Sequence, residues 1–219
     1  MKLKEISLAN ILLGRKTFTY PFAFTPRQLV FIASCIEETG RVPGCIVEAG
    51  VAYGATTVFL NMLQRDIGPP KPYYAIDTFA GFPAEQSEYE ITHRGKPARL
   101  KHAFQRNDQS WVDYSVKRAK LTNVTTVKAD VSTFDFSSLG AIAFCLIDVD
   151  LYLPVRDALA KVYACLSPGG IIVVDDCKAG GNWDGALQAY QEFCAANGLA
   201  EERVWEKLGV VRKRPAAGA

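Results

Sequence analysis

Five short apolar runs, each with an acid at or near its end, constrain this chain more than any other feature. They are Cys45–Val51 with Glu48 inside it, Tyr73–Asp77, Val124–Asp130, Ala141–Asp148 and Gly170–Asp175. Their length and their Val, Ile and Tyr content predict strands. The spacing predicts helices over Pro26–Glu38, Thr56–Arg65, Ser110–Ala119, Leu151–Leu166 and Trp183–Asn197. Thr25 is the expected cap of the first helix, with Pro26 at its first position. Nearly continuous apolar strands are buried on both faces, and alternation with helices covers those faces. The pattern therefore predicts a doubly wound, Rossmann-like α/β fold with a mostly parallel sheet. The segment Arg203–Arg214 adds one or two last strands, for seven in all.

A chain of 219 residues suits one domain. The expected organisation is an N-terminal arm over 1–25, a main domain over 26–214 and a frayed tail over 215–219. The arm carries Phe18, Tyr20, Phe22 and Phe24, which predict either a homodimer contact or a cover over the active site. A polar stretch with both histidines, about 84–107, reads as a lid loop. A net charge of +2 gives no sign of a nucleic-acid-binding surface. No window reaches the roughly 18 apolar residues of a membrane span. The run Leu8–Leu13 is too short for a secretory signal, so a cytoplasmic location is expected. Six cysteines without a CxxC pair read as buried thiols, with Cys177 held open because it follows two aspartates.

Ligands of open α/β sheets bind beyond the carboxyl ends of the strands. Glu48, Asp77, Asp130, Asp148 and Asp175 all stand there. Glu48-Ala-Gly50-Val-Ala-Tyr-Gly54 is a glycine turn, but Ala52 replaces the second glycine of the dinucleotide fingerprint. An acid before such a turn suits an amino-acid-like cationic ligand, and Gly50 lets the backbone approach it. A tight turn without a ligand is the plainer alternative. Asp77 is placed to receive ribose hydroxyls, or else to cap the turn at Asp77-Thr78. Asp148-Val-Asp150 and Asp175-Asp176 bring four carboxylates together after two strands, which repel unless a cation intervenes. Oxygen-only ligands suit a hard ion such as Mg2+ or another divalent cation. Asp150 alternatively caps the helix that follows.

Four segments resemble the macrocin O-methyltransferase family of class I methyltransferases. They are Val47-Glu-Ala-Gly-Val-Ala-Tyr-Gly-Ala-Thr56, Ile76-Asp-Thr-Phe-Ala-Gly-Phe-Pro83, Ile147-Asp-Val-Asp-Leu-Tyr152 and Gly169-Gly-Ile-Ile-Val-Val-Asp-Asp176. The resemblance spans roughly Ile46 to Phe193. It implies an S-adenosylmethionine-dependent, magnesium-assisted O-methyltransferase acting on a sugar hydroxyl of a natural product. It implies that Glu48 and Gly50 lie by the methionine part of the cofactor and that Asp77 binds the ribose. Asp130 and Val131 then border the adenine, and Tyr53, Thr56, Thr78 and Asp148 complete the cofactor set. Asp148, Asp175 and Asp176 match the metal ligands, and Asp148 matches the general base. Cys177 departs from the aromatic that the family often carries after the paired aspartates. The lid does not resemble the family's, which leaves the acceptor open between a sugar, a catechol and another diol.

The mechanism expected is direct displacement on a small-molecule hydroxyl acceptor, the metal lowering the hydroxyl pKa. His93 and His102 are rival bases within the lid, and Asp150 is a substitute for Asp148. Two other readings stay open: an NAD-dependent oxidoreductase on a similar sheet, and a cofactor-binding module without catalysis.

Overall fold

The computed structural model describes residues 20–215. The first helix, α1 (Pro26–Glu38), starts as expected: the Thr25 hydroxyl accepts from the Gln28 amide, and the Gln28 side chain accepts from the Thr25 amide. This reciprocal capping box satisfies two amide groups that helix geometry leaves unpaired. Then follow β1 (Cys45–Ala49), α2 (Ala55–Ile67), β2 (Tyr73–Asp77) and α3 (Ala84–Arg94). Next come α4 (Gln109–Arg118), β3 (Val124–Lys128), β4 (Ile142–Ile147) and α5 (Tyr152–Cys165). The domain ends with β5 (Leu166–Val174), α6 (Gly185–Ala196), β6 (Glu202–Val204) and β7 (Leu208–Arg212).

The seven strands form one sheet in the order β3-β2-β1-β4-β5-β7-β6, with β7 antiparallel to both of its neighbours. Strand order reverses between β1 and β4, which opens the crevice where such sheets bind ligands. Side chains alternate across the sheet. Val47, Ala49, Cys145 and Ile147 pack toward α5 and α6, while Ile46, Ala75, Phe144 and Leu146 pack toward α1, α2 and α4. All five residues of β1 and all six of β4 are buried, which is why those runs carry almost no polar alternation.

The lid differs from the expected loop. It contains α3 and a 3-10 turn over Ala98–His102. The buried face of α3 is Gln86, Ser87 and Glu90, because it packs on polar groups rather than on the core. That removes the apolar periodicity by which a helix is read from sequence. The aromatics of the arm are partly described. Phe24 is in the core, Tyr20 packs edge-on to Phe22, and Phe22 packs edge-on to Phe59; Phe18 lies outside the described residues. The tail beyond residue 215 also lies outside them. The cysteines are unpaired, and Cys177 is fully buried beside Gly209 and Tyr190, on the core side of its strand end. No helix among the described residues is long and apolar enough to cross a membrane.

Candidate active site

Register, not proximity in sequence, assembles the site. Ala49 pairs with Ile76 on one side and Ile147 on the other, and Ile147 pairs with Val174. The ladder continues one residue further: Gly50 donates to the Ile76 carbonyl, Asp148 to that of Ala49, and Asp175 to that of Ile147. Asp77, Gly50, Asp148 and Asp175 therefore stand in one row at the open edge of the sheet.

Above that row lies a cavity of about 400 Å³, within the roughly 300–1,000 Å³ usual for small-molecule sites. Glu48, Gly50, Tyr53, Thr56, Asp77 and Thr78 line one part of it, with Asp130 and Val131 beyond. Asp148, Asp150, Asp175 and Asp176 line another. Every candidate site residue read from the sequence thus borders one cavity, except the two histidines. His93 is exposed and stacks on Tyr89, and His102 is exposed and borders a separate pocket of lid residues.

On the glycine-turn side, Glu48 is buried under two hydroxyls. Thr57 donates to its Oε2 at 2.5 Å and Tyr73 at 2.8 Å. Burial pushes its carboxyl up to about 7, against the pull of these two hydrogen bonds. Asp77 has a task inside the fold: its Oδ2 accepts the amides of Val51 at 2.8 Å and Ala52 at 3.0 Å, and its Oδ1 accepts that of Phe79 at 2.7 Å. It thereby fixes both the glycine turn and its own turn. Gly50 is required for a reason beyond ligand approach. With φ of +90°, a Cβ there would overlap the Asp148 carbonyl oxygen. Gln86 and Asn107 are not legible as site residues in the sequence. Gln86 donates to both oxygens of Asp130, and Asn107 Nδ2 donates to Asp77, leaving Asn107 Oδ1 buried without a partner.

On the acidic side, charge is crowded. Burial raises Asp148 well above the usual carboxylate range, and the charges of Asp175, Asp150 and Asp176 raise it further. Asp150 is raised by burial, by Asp176 and by a hydrogen bond shared with it. Burial and Asp176 push Asp175 up to about 6, although the Lys207 ammonium opposes this. Lys207 Nζ lies 2.6 Å from Asp175 Oδ2 and 3.3 Å from Asp176 Oδ1. Nothing local in the sequence marks Lys207, because the turn between β6 and β7 reaches the site only through the antiparallel end of the sheet. Asp150 does not cap α5. Its φ is +60°, Leu151 is the cap residue, and the Tyr152 amide donates instead to Glu90 Oε1 at 2.6 Å.

The chemistry of this half fits a hard cation. Four carboxylates are crowded together, Asp148, Asp150 and Asp175 have raised affinity for protons, and Asp175 Oδ1 is buried without a hydrogen-bond partner. Among the described residues, however, no group of three or more His, Cys, Asp or Glu side chains is already arranged to hold a metal ion, and the Lys207 ammonium sits on two of these carboxylates. Phe82, Phe104 and Trp183 line the cavity together, with ring centroids 5.4 to 6.2 Å apart. Pro21 and Ala23, at the described end of the arm, border it as well.

The family model for macrocin-O-methyltransferase (TylF) matches residues 25–208. The chain belongs to this family. A relative from Streptomyces olivaceus, 8-demethyl-8-(2,3-dimethoxy-alpha-L-rhamnosyl)-tetracenomycin-C 4'-O-methyltransferase, is 28% identical over 161 residues. Demethyldecarbamoylnovobiocin O-methyltransferase from Streptomyces niveus is 26% identical over 163 residues. Each alignment covers 68% of this chain and 60% of the relative, so the chain spans less than two thirds of their length. The solved O-methyltransferase NovP superposes with a TM-score of 0.72 at 20% identity, covering 86% of this chain and 80% of its own. That likeness shows the shared Rossmann-like fold. In this macrocin-O-methyltransferase family member, the matched region includes every acid of the row and Lys207.

Proposed function

We propose that this family member is an S-adenosylmethionine-dependent O-methyltransferase whose acceptor is a hydroxyl of a sugar or sugar-bearing natural product. The observation that carries the reading is the division of one cavity between a glycine-turn half with Glu48 and Asp77 and an acidic half with Asp148, Asp175 and Asp176. Family membership and the O-methyltransferase names of the relatives support it. Ala52 at the second glycine position speaks against the nicotinamide alternative. The crowded aspartates speak against a module that only binds the cofactor.

In this reading Glu48 faces the methionine ammonium, Asp77 and Thr78 the ribose, and Asp130 and Val131 the adenine. Asp148, Asp175 and Asp176 would have to draw together to hold a divalent cation, whose chemistry is to lower the pKa of the acceptor hydroxyl and orient it. The cavity then has to present the hydroxyl in line with the sulfonium methyl. The O–C bond forms on the acceptor as the S–C bond of the sulfonium breaks, and the hydroxyl proton passes to a carboxylate, Asp148 in the first instance. Asp150, held beside Asp176, is the neighbouring acceptor for that proton. Phe82, Phe104 and Trp183 exclude water from the reacting atoms. Calorimetry with S-adenosylmethionine against NAD, followed by a screen of glycosidic and catecholic acceptors, tests the reading. Binding of NAD alone, or tight cofactor binding with no methyl transfer to any acceptor, overturns it.

A further inference from the structure

Lys207 is the only lysine or arginine among the described residues lining the cavity, and it faces four aspartates there. Its place is built with care. Trp205 and Glu206 before it both have positive φ, +48° and +72°. Gln28 Nε2 of α1 donates to the Trp205 carbonyl at 2.8 Å, and the Arg27 guanidinium lies 5.3 Å over the Trp205 ring. The Lys207 carbonyl accepts the Cys177 amide at 2.7 Å, and its ammonium sits 5.1 Å over the buried ring of Phe24. A strained turn anchored at both ends is costly unless the side chain it presents has work to do.

The ammonium bonds Asp175 Oδ2 and approaches Asp176 Oδ1. These are two of the three carboxylates assigned above to a divalent cation. One positive charge relieves part of the repulsion among four carboxylates but cannot neutralise it. We infer that Lys207 is the resident counter-ion of this cluster and shares its oxygens with the divalent cation. It positions Asp175 and Asp176 before metal arrives, and it weakens metal affinity by repulsion. Lys207 is thus a positioning residue that sets how readily the site loads and releases its metal. The inference rests on the metal reading given under Proposed function.

The test is titration of Mn2+ into the full-length protein by calorimetry, with wild type, Lys207→Met and Lys207→Arg. Removing a like charge from a cation site should tighten Mn2+ binding by at least about tenfold in Lys207→Met. Lys207→Arg keeps the charge and should stay within about threefold of wild type. Without metal, Lys207→Met should unfold at a lower temperature than wild type and regain the difference on Mn2+ addition. If Lys207→Met does not fold, Lys207→Gln carries the same comparison. Equal or weaker Mn2+ affinity in the uncharged variant overturns the inference, as does an unchanged metal-free midpoint. Absence of Mn2+ binding in wild type and variant alike overturns the metal reading with it. Binding in wild type with no gain in the variant overturns the Lys207 inference alone.

Discussion

Glu90 Oε1 accepts the backbone amide of Tyr152 at 2.6 Å. The bond joins α3 of the lid to the first turn of α5, directly after the Asp148–Asp150 segment. Glu90 Oε2 is bound by Arg94 at 2.9 Å, and Arg94 in turn reaches Asp184 at 2.8 Å, beside Trp183. The lid is therefore fastened both to the segment that carries Asp148 and Asp150 and to the segment that carries Trp183. Glu90 is only 1% exposed. Glu90→Ala leaves a helix-terminal amide without its partner and takes one of its acidic partners from the largely buried Arg94 guanidinium, which should cost about 1.5–3 kcal/mol. Thermal unfolding measures it, and an unchanged midpoint would show that the lid is held by other contacts.

Gly50→Ala should be more damaging than an ordinary strand-end substitution. It forces a positive φ on an L side chain and drives a methyl into the Asp148 carbonyl. The expected cost is about 3 kcal/mol or more, with loss of cofactor affinity as β1 and β4 separate. A variant that binds S-adenosylmethionine with wild-type affinity would contradict the close packing described for these strand ends.

Glu48 has a pH signature. Its carboxyl is raised to about 7 in the folded chain from an ordinary 4.5. The native state therefore holds a proton that the unfolded chain releases earlier, and stability falls as pH rises between those values. Glu48→Gln can keep the hydrogen bonds from Thr57 and Tyr73 but removes the titration. Its stability relative to wild type should grow from about pH 5 to about pH 7 and level off above. Unfolding midpoints across that range decide the matter; a constant difference would mean that Glu48 is charged throughout. The same variant should lose about tenfold or more in cofactor affinity at neutral pH, read by calorimetry, if its charge meets the methionine ammonium.

Asp175→Ala should abolish turnover that depends on added Mg2+ while leaving S-adenosylmethionine binding within about threefold, because the two functions use separate ends of the cavity. Chelator should have the same effect on the wild-type enzyme. Full activity in chelator would remove the cation from the mechanism.

His93→Ala and His102→Ala should each keep kcat/KM within about twofold of wild type, since both rings are exposed and outside the cavity. A large loss of kcat in either would return the general-base role to the lid.

Much of this fold is legible along the chain because its signals are local. A strand buried on both faces must be a nearly continuous apolar run, so an acid within or just beyond its last residues marks the edge of the sheet. The strand-end positions of Glu48, Asp77, Asp130, Asp148 and Asp175 can therefore be read from residue order alone. The lid helix α3 is not legible in that way, because its inward residues, Gln86, Ser87 and Glu90, meet polar partners. Asp150 resembles a cap in sequence because the true partner of the α5 amide, Glu90, is 62 positions away.

The sequence by itself determined the class of fold, the acids at the sheet edge and the glycine turn, since each follows from patterns a few residues long. Tertiary structure decided which strand ends are neighbours and which side chains complete the site. β1 lies beside β4 although β2, β3 and three helices intervene along the chain, and that pairing alone brings Gly50 against Asp148. Lys207 meets Asp175 because β7 runs antiparallel beside β5. Such contacts depend on packing of the whole chain, which short-range periodicity does not encode.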